Sequence, residues 1–220
     1  MVKRENIVKI LKELAKNPEP YLSEAQFQFE LAWYLQKEFS DAKILLEYTA
    51  CSTKVEGKKK RFESDILVVF GAEYQSIELK YKTAKATVGE VELTQQSGQP
   101  GTKYDYLWDI HRIEILKEKN KNEYDFHGIG ENHKCLGGFA IFLTNDGSYW
   151  NSGRDGDSAK NFNLCEKKNK GQMLEWNGEH KDWMNSRQPF ALSNNYSFKW
   201  ETYKELTNGK EFKYLITEVK

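Results

Sequence analysis

Two short runs constrain this 220-residue chain more than anything else in it: Ser64–Phe70 (SDILVVF) and Ser76–Tyr81 (SIELKY). Both are dense in Val, Ile and Leu, and the GAEYQ between them, residues 71–75, has hairpin length, so the spacing predicts two adjacent strands. Ile66, Val68, Ile77 and Leu79 suit a sheet covered on both faces, which calls for helices packed on it. Yet the same strands carry Asp65, Glu78 and Lys80. Residues two apart on a strand share a face, so Glu78 and Lys80 point the same way and meet Asp65 where the strands adjoin. Ionic groups in such a setting are costly unless paired or bound to a metal.

The rest of the chain fits one mixed α/β domain. Helical spacing of Ile7, Ile10, Leu11 and Leu14 predicts a helix over 3–16, and Ser23-Glu24-Ala25-Gln26 resembles a capping box opening a second helix that runs to about Glu38. Strands are expected at Ala42–Tyr48, Gly138–Thr144 and Tyr214–Val219, and a helix at Tyr104–Lys117. Residues 52–61 read as a polar, basic loop, 98–101 (GQPG) as a break, and 119–134 as a polar connector. From 145 to 188 the chain is rich in Asn, Gly, Asp and Lys with Trp interspersed, so short strands and long loops are expected there. The expected domain is a core of about 20–145 with a C-terminal β and loop elaboration of about 146–220.

Composition excludes several classes. Aromatic residues make up 14%, too many for a disordered chain. Lys+Arg and Asp+Glu both number 33, so any nucleic-acid contact has to come from a local patch. The longest apolar runs, 66–70 and 136–143, fall far short of the ~20 residues of a spanning helix, and no membrane association is expected. Charges in MVKRENIVKI interrupt what an export signal would need, and three scattered cysteines form no framework, so a reduced, cytoplasmic protein is expected.

Asp65 and Glu78 offer hard oxygen ligands of the kind Mg²⁺ takes alongside substrate phosphate oxygens. Lys80 beside them could orient a water or offset charge building on a phosphodiester. A cross-strand ion pair in a hairpin would use the same residues. The second helix adds to the metal reading. At ~100° per residue, Glu24 and Gln28 fall inside the apolar stripe of Phe27, Leu31 and Leu35, and polar groups facing a core ask for partners.

A helix bearing an acid, then Asp65, then Glu78-x-Lys80 on the next strand resembles the PD-(D/E)XK nuclease superfamily, with Ser64 standing where that pattern has proline. SEAQFQFELAWYL, SDILVVF, IELKYKT, YDYLWDIHRIE, IFLTNDGSYW and the aromatic triplet Tyr196, Phe198, Trp200 are similar to an uncharacterised prokaryotic group within it. The resemblance implies a restriction-endonuclease-like mixed β-sheet flanked by helices and Mg²⁺-dependent phosphodiester hydrolysis, Mn²⁺ being able to substitute. It implies catalysis by Asp65, Glu78 and Lys80, with the helix acid mapping onto Glu24 or Gln28. Metal binding would then fall to Asp65, Glu78, Glu24 and the backbone carbonyl of Leu79.

Lys58, Lys59, Lys60 and Arg61 precede the Asp65 strand and are expected to meet a phosphate backbone, DNA being the expected nucleic acid. Gln96 follows the Glu78 strand at a distance where such nucleases place a polar residue near the site. Asp105, Asp109 and Arg112 share a helix face, for which an intrahelical ion-pair ladder is the simple account. The leading expectation is a nuclease in defence, restriction or repair, working as a homodimer or with a partner protein that supplies specificity. The alternative is a non-cleaving nucleic-acid-binding or protein-interaction module on the same fold.

Overall fold

The computed structural model of the chain describes residues 1–55, 58–120, 123–151, 158–165, 169–170, 173–178, 182–206 and 209–220; side chains at 54–55, 58–59 and 169–170 lie outside the description. A seven-stranded mixed sheet forms its centre. The strands are β1 (Lys43–Val55), β2 (Lys58–Phe70), β3 (Glu73–Lys82), β6 (Asp125–Phe126), β7 (Lys134–Thr144), β12 (Trp200–Glu205) and β13 (Glu211–Val219), in the order β12-β13-β7-β3-β2-β1-β6. All neighbours run antiparallel except β3 and β7, a parallel pair. Two-stranded ribbons of β4 (Ala86–Val88) with β5 (Val91–Leu93), β8 (Asn169–Lys170) with β11 (Tyr196–Ser197), and β9 (Met173–Leu174) with β10 (Phe190–Ala191) decorate it. This is the mixed α/β architecture expected from the paired apolar strands.

Strand parity decides which face each side chain meets. Ile66, Val68, Ile77 and Leu79 project to one face, where α1 (Arg4–Leu14) and α2 (Glu24–Glu38) bury Ile7, Leu11, Phe27, Leu31 and Leu35 against them. Leu67, Val69, Ala140 and Phe142 project to the other, where α3 (Gln99–Glu118) brings Leu107, Ile110, Ile113 and Leu116. Burying each of these fully is worth about 1.5–3 kcal/mol. The Ser23 hydroxyl accepts from the Gln26 N–H at 3.1 Å, as expected of the cap, while the Gln26 side chain reaches past Ser23 to the Leu22 N–H.

Several local expectations change. Residues 52–55 and 58–61 are strand and not loop: Ser52 pairs with Arg61 and Thr53 with Lys60, so the β1–β2 pairing continues as a two-stranded ribbon. Such a ribbon needs only backbone pairing, so it lacks the apolar alternation that marks a half-buried strand. The connection between β2 and β3 shrinks to Gly71-Ala72, with Gly71 at φ +59 and Phe70 opposite Glu73. The GQPG segment does not break the chain but starts α3: Gly98 caps it in the left-handed region and Pro100 sits in its first turn, where no N–H is needed. The sheet also extends past 145, because β13 pairs with β7 from Lys213 to Val219 and β12 adds to it. Gly138 allows β7 to approach β3, since a Cβ there would collide with the Ser76 carbonyl. Among the described residues, no helix is long and apolar enough to cross a membrane.

Candidate functional site

The β2–β3 ladder stops at Ile66 opposite Ile77. Beyond that point β3 presents backbone N–H groups with no strand to receive them, and carboxylates take the strand's place. Asp65 Oδ2 accepts from the Leu79 N–H at 2.5 Å, and Glu24 Oε2 from the Tyr81 N–H at 2.6 Å. Gln28, buried beneath α2, donates to the Asp65 carbonyl at 2.7 Å and to Glu47 Oε1 at 2.6 Å. Thus α2 lies on the opposite face from Glu78 and Lys80, yet its two polar residues reach the same strand edge.

On the α3 face the expected convergence is joined by two further groups. Lys80 Nζ lies 2.5 Å from Asp109 Oδ2 and donates to the Leu79 carbonyl at 3.0 Å. Arg112 binds Glu78 directly and Asp109 at 2.9 Å. Glu78 is only 1% exposed; the Ser76 hydroxyl stands 3.2 Å from its Oε1 and 2.8 Å from the Ser64 hydroxyl. Ser64, in the proline position of the resembling pattern, therefore helps hold the second carboxylate. Three carboxylates (Asp65, Glu78, Asp109) face two cations, a cluster one positive charge short of neutral.

Burial raises the Asp65 carboxyl to about 6, Lys80 pulling it down and Asp109 pushing it further up. Burial also drives Glu78 well above the usual carboxylate range, against the pull of Arg112. For Lys80, burial works against the ammonium, but Asp109, Asp65 and Glu24 outweigh it and its pKa rises. Arg112 rises in the same way, Glu78 and Asp109 overcoming burial.

Asp65, Lys80, Asp109 and Arg112 open onto a cleft of about 470 Å³. The β1–β2 ribbon supplies Glu47, Lys60 and Glu63; α3 supplies Tyr104, Asp105 and Trp108; Ser186 and Arg187 close it from the C-terminal part. Glu47 has φ +49, a left-handed backbone that a non-glycine residue adopts at some cost. Lys60 Nζ sits over the Trp108 ring, 4.8 Å from its centroid. The side chains of Lys58 and Lys59 lie outside the described residues. Arg61 is exposed and does not line the cleft, and neither does Gln96, whose neighbours Gln95 and Gln99 instead donate to Asp146.

No family model, no curated protein and no solved structure matches the chain. The site therefore rests on its own geometry. The sequence reading brings together Asp65, Glu78, Lys80, Glu24 and Gln28, and it missed three residues. Asp109 and Arg112 do make the expected i,i+3 pair, but both also reach across to β3, while Asp105 leaves the ladder to bind Arg187 at 3.0 and 3.1 Å. Glu47 gave no signal, since nothing in an acidic residue inside a strand announces a left-handed turn of the backbone.

As a metal site the cluster has the right donor chemistry in Asp65, Glu78 and the Leu79 carbonyl, and the missing positive charge is a second point of fit. Among the described residues no three Asp, Glu, His or Cys groups stand ready as a ligand set. Glu78 would have to exchange Arg112 for the ion.

Proposed function

We propose that the chain is a metal-dependent nuclease with a restriction-endonuclease-like core, hydrolysing phosphodiester bonds with DNA as its expected substrate. The observation that carries this reading is the seam where β2 leaves β3. There Asp65, Glu78 and Lys80 gather where the β2–β3 pairing ends, and Asp65 and Lys80 open onto the cleft. Asp65, Glu78 and the Leu79 carbonyl are the groups that would hold Mg²⁺ or Mn²⁺, with Glu24 two residues further along the edge at the Tyr81 N–H. A divalent ion there supplies charge compensation for a phosphodiester and activates water. Lys80, kept protonated by its carboxylate neighbours, stabilises the charge that accumulates on the phosphoryl oxygens and orients the attacking water. Gln28 fixes the Asp65 backbone and so the carboxylate's position.

The test is cleavage of supercoiled plasmid and of circular single-stranded DNA by wild type and Lys80→Ala, with Mg²⁺, with Mn²⁺ and with EDTA. Metal-dependent cutting that disappears in the variant is the expected result. A second reading, a module that binds nucleic acid without cutting it, is favoured by one observation: Arg112 pairs directly with Glu78, the carboxylate a metal would need. It predicts no cutting of either DNA and no shift of the melting temperature with Mg²⁺ or Mn²⁺, whereas a metal that binds only the folded state raises it.

A further inference from the structure

The cleft beside Asp65 and Lys80 is built of two kinds of wall. One is the ionic cluster; the other is aromatic. Trp108, half-buried, is gripped edge-on by Phe62 (ring centroids 6.3 Å apart, 87°) and Phe190 (5.1 Å, 85°), so its plane is fixed. Tyr104 lies parallel to it at 9°, and Trp176 parallel to Tyr104 at 15°. Trp108 lines the cleft, and Lys60, at an exposed position, holds its ammonium 4.8 Å from the centroid of that ring. A flat base offers that ring more contact than an ammonium does, and Lys60 is long enough to move from the ring to the base's own phosphate.

The charge on the walls bears on the shape of the substrate. Proteins that track duplex DNA do so with cations free to replace the counterions of successive phosphates. Here five carboxylates face four cations. Three of those cations are already engaged: Lys80 with Asp109, Arg112 with Glu78 and Asp109, and Arg187 with Asp105. Arg187 is held further by Trp176 Nε1 donating to its carbonyl at 3.1 Å, so the C-terminal part closes the cleft as a fixed wall. A lining like this draws little affinity from the backbone and must draw it from bases. Its volume, about 470 Å³, lies in the range of small-ligand sites.

We propose that the cleft receives one unpaired nucleotide with its base laid on Trp108, so that the substrate is single-stranded nucleic acid. This rests on the nuclease reading and narrows its substrate. Stacking a base on an aromatic side chain contributes about 1–3 kcal/mol, roughly 5- to 150-fold in affinity.

The experiment measures binding, by fluorescence anisotropy in EDTA, of a labelled 12-nucleotide thymidine strand, the matching uridine strand, and a DNA duplex of equal length. Wild type, Trp108→Ala, Trp108→Phe and Lys60→Glu are compared, each checked for a wild-type circular dichroism spectrum. A single strand, DNA or RNA, is expected to bind at least 10-fold more tightly than the duplex. Trp108→Ala should lose about 10-fold of that binding and Trp108→Phe most of it should keep. Lys60→Glu, at an exposed position that cannot disturb the core, should weaken single-strand binding several-fold even if Trp108→Ala fails to fold. Duplex bound as tightly as either single strand, or single-strand affinity unmoved by Trp108→Ala and Lys60→Glu, overturns the proposal. Metal-dependent cutting of duplex in that case leaves the nuclease reading standing; no binding and no cutting of any of these nucleic acids removes both.

Discussion

Asp65 accepts a hydrogen bond from the Leu79 N–H and at the same time lines the cleft, and that position sets what its ionisation does to folding. An unfolded Asp titrates near ~3.9; here burial raises the value to about 6. Between those two values the folded protein holds a proton that the unfolded chain has released. Stability therefore falls as pH rises through that window, and above it the full cost of the buried charge is present. An Asn keeps the acceptor and removes the charge. In EDTA, Asp65→Asn is expected to be more stable than wild type by about 1–3 kcal/mol at pH 7, the gain vanishing by about pH 4. Urea unfolding at several pH values checks this, and a constant difference between the two proteins would contradict it. At this scale the site was legible where strand parity speaks. Asp65, Glu78 and Lys80 follow from period two, and Glu24 and Gln28 from a helical stripe. Asp109 and Arg112 were visible as charges on a helix face, but their bonds to Lys80 and Glu78 depend on how α3 crosses the sheet, which no local pattern encodes.

Helix α3 also works as a clamp, and Glu114 is its jaw. Buried at 2% exposure, its carboxylate accepts from the backbone N–H groups of Ser193 and Asn194, from Asn194 Nδ2 and from the Tyr196 hydroxyl at 2.8 Å. Burial alone would raise its pKa, but these donors and His111 lower it. Glu114→Gln would turn an acceptor-only group into one whose amide faces donors, leaving buried N–H or O–H groups unmatched at about 1–3 kcal/mol each. We expect that variant to keep the central sheet while residues 190–200 lose amide protection, read by hydrogen exchange; unchanged exchange there would show that the aromatic packing alone holds this segment. Long helices and the apolar strands β2, β3 and β7 were readable as elements because burial writes a period into them. The paired segments 52–55 and 58–61 and strand β12 were not, because their hydrogen bonds do the work and no apolar alternation in the sequence marks them.

Across the whole molecule, the central strand is β3, joined to β2 on one side and, in parallel, to β7 on the other. The far edge of β7 is covered only by β13, whose Leu215 and Ile216 sit in the two cores. A chain ending after Phe198 lacks β12 and β13 and exposes the edge of an apolar strand. It is expected to aggregate, seen as loss of the monodisperse peak on size-exclusion chromatography; a well-folded monomer would show that the C-terminal strands are dispensable. The seam between β2 and β3 has a wider consequence. Because Asp65 and Glu24 stand in for a missing strand by receiving the Leu79 and Tyr81 amides, they hold the architecture together whether or not any reaction takes place. On the nuclease proposal, a descendant that stopped cutting would still be selected to keep an acceptor at both positions, Asp or Asn at 65 and Glu or Gln at 24. Among such descendants, lost activity would be written in the exchange of acid for amide, at Lys80 and on the walls of the cleft, and the persistence of the acceptors would be a record of folding.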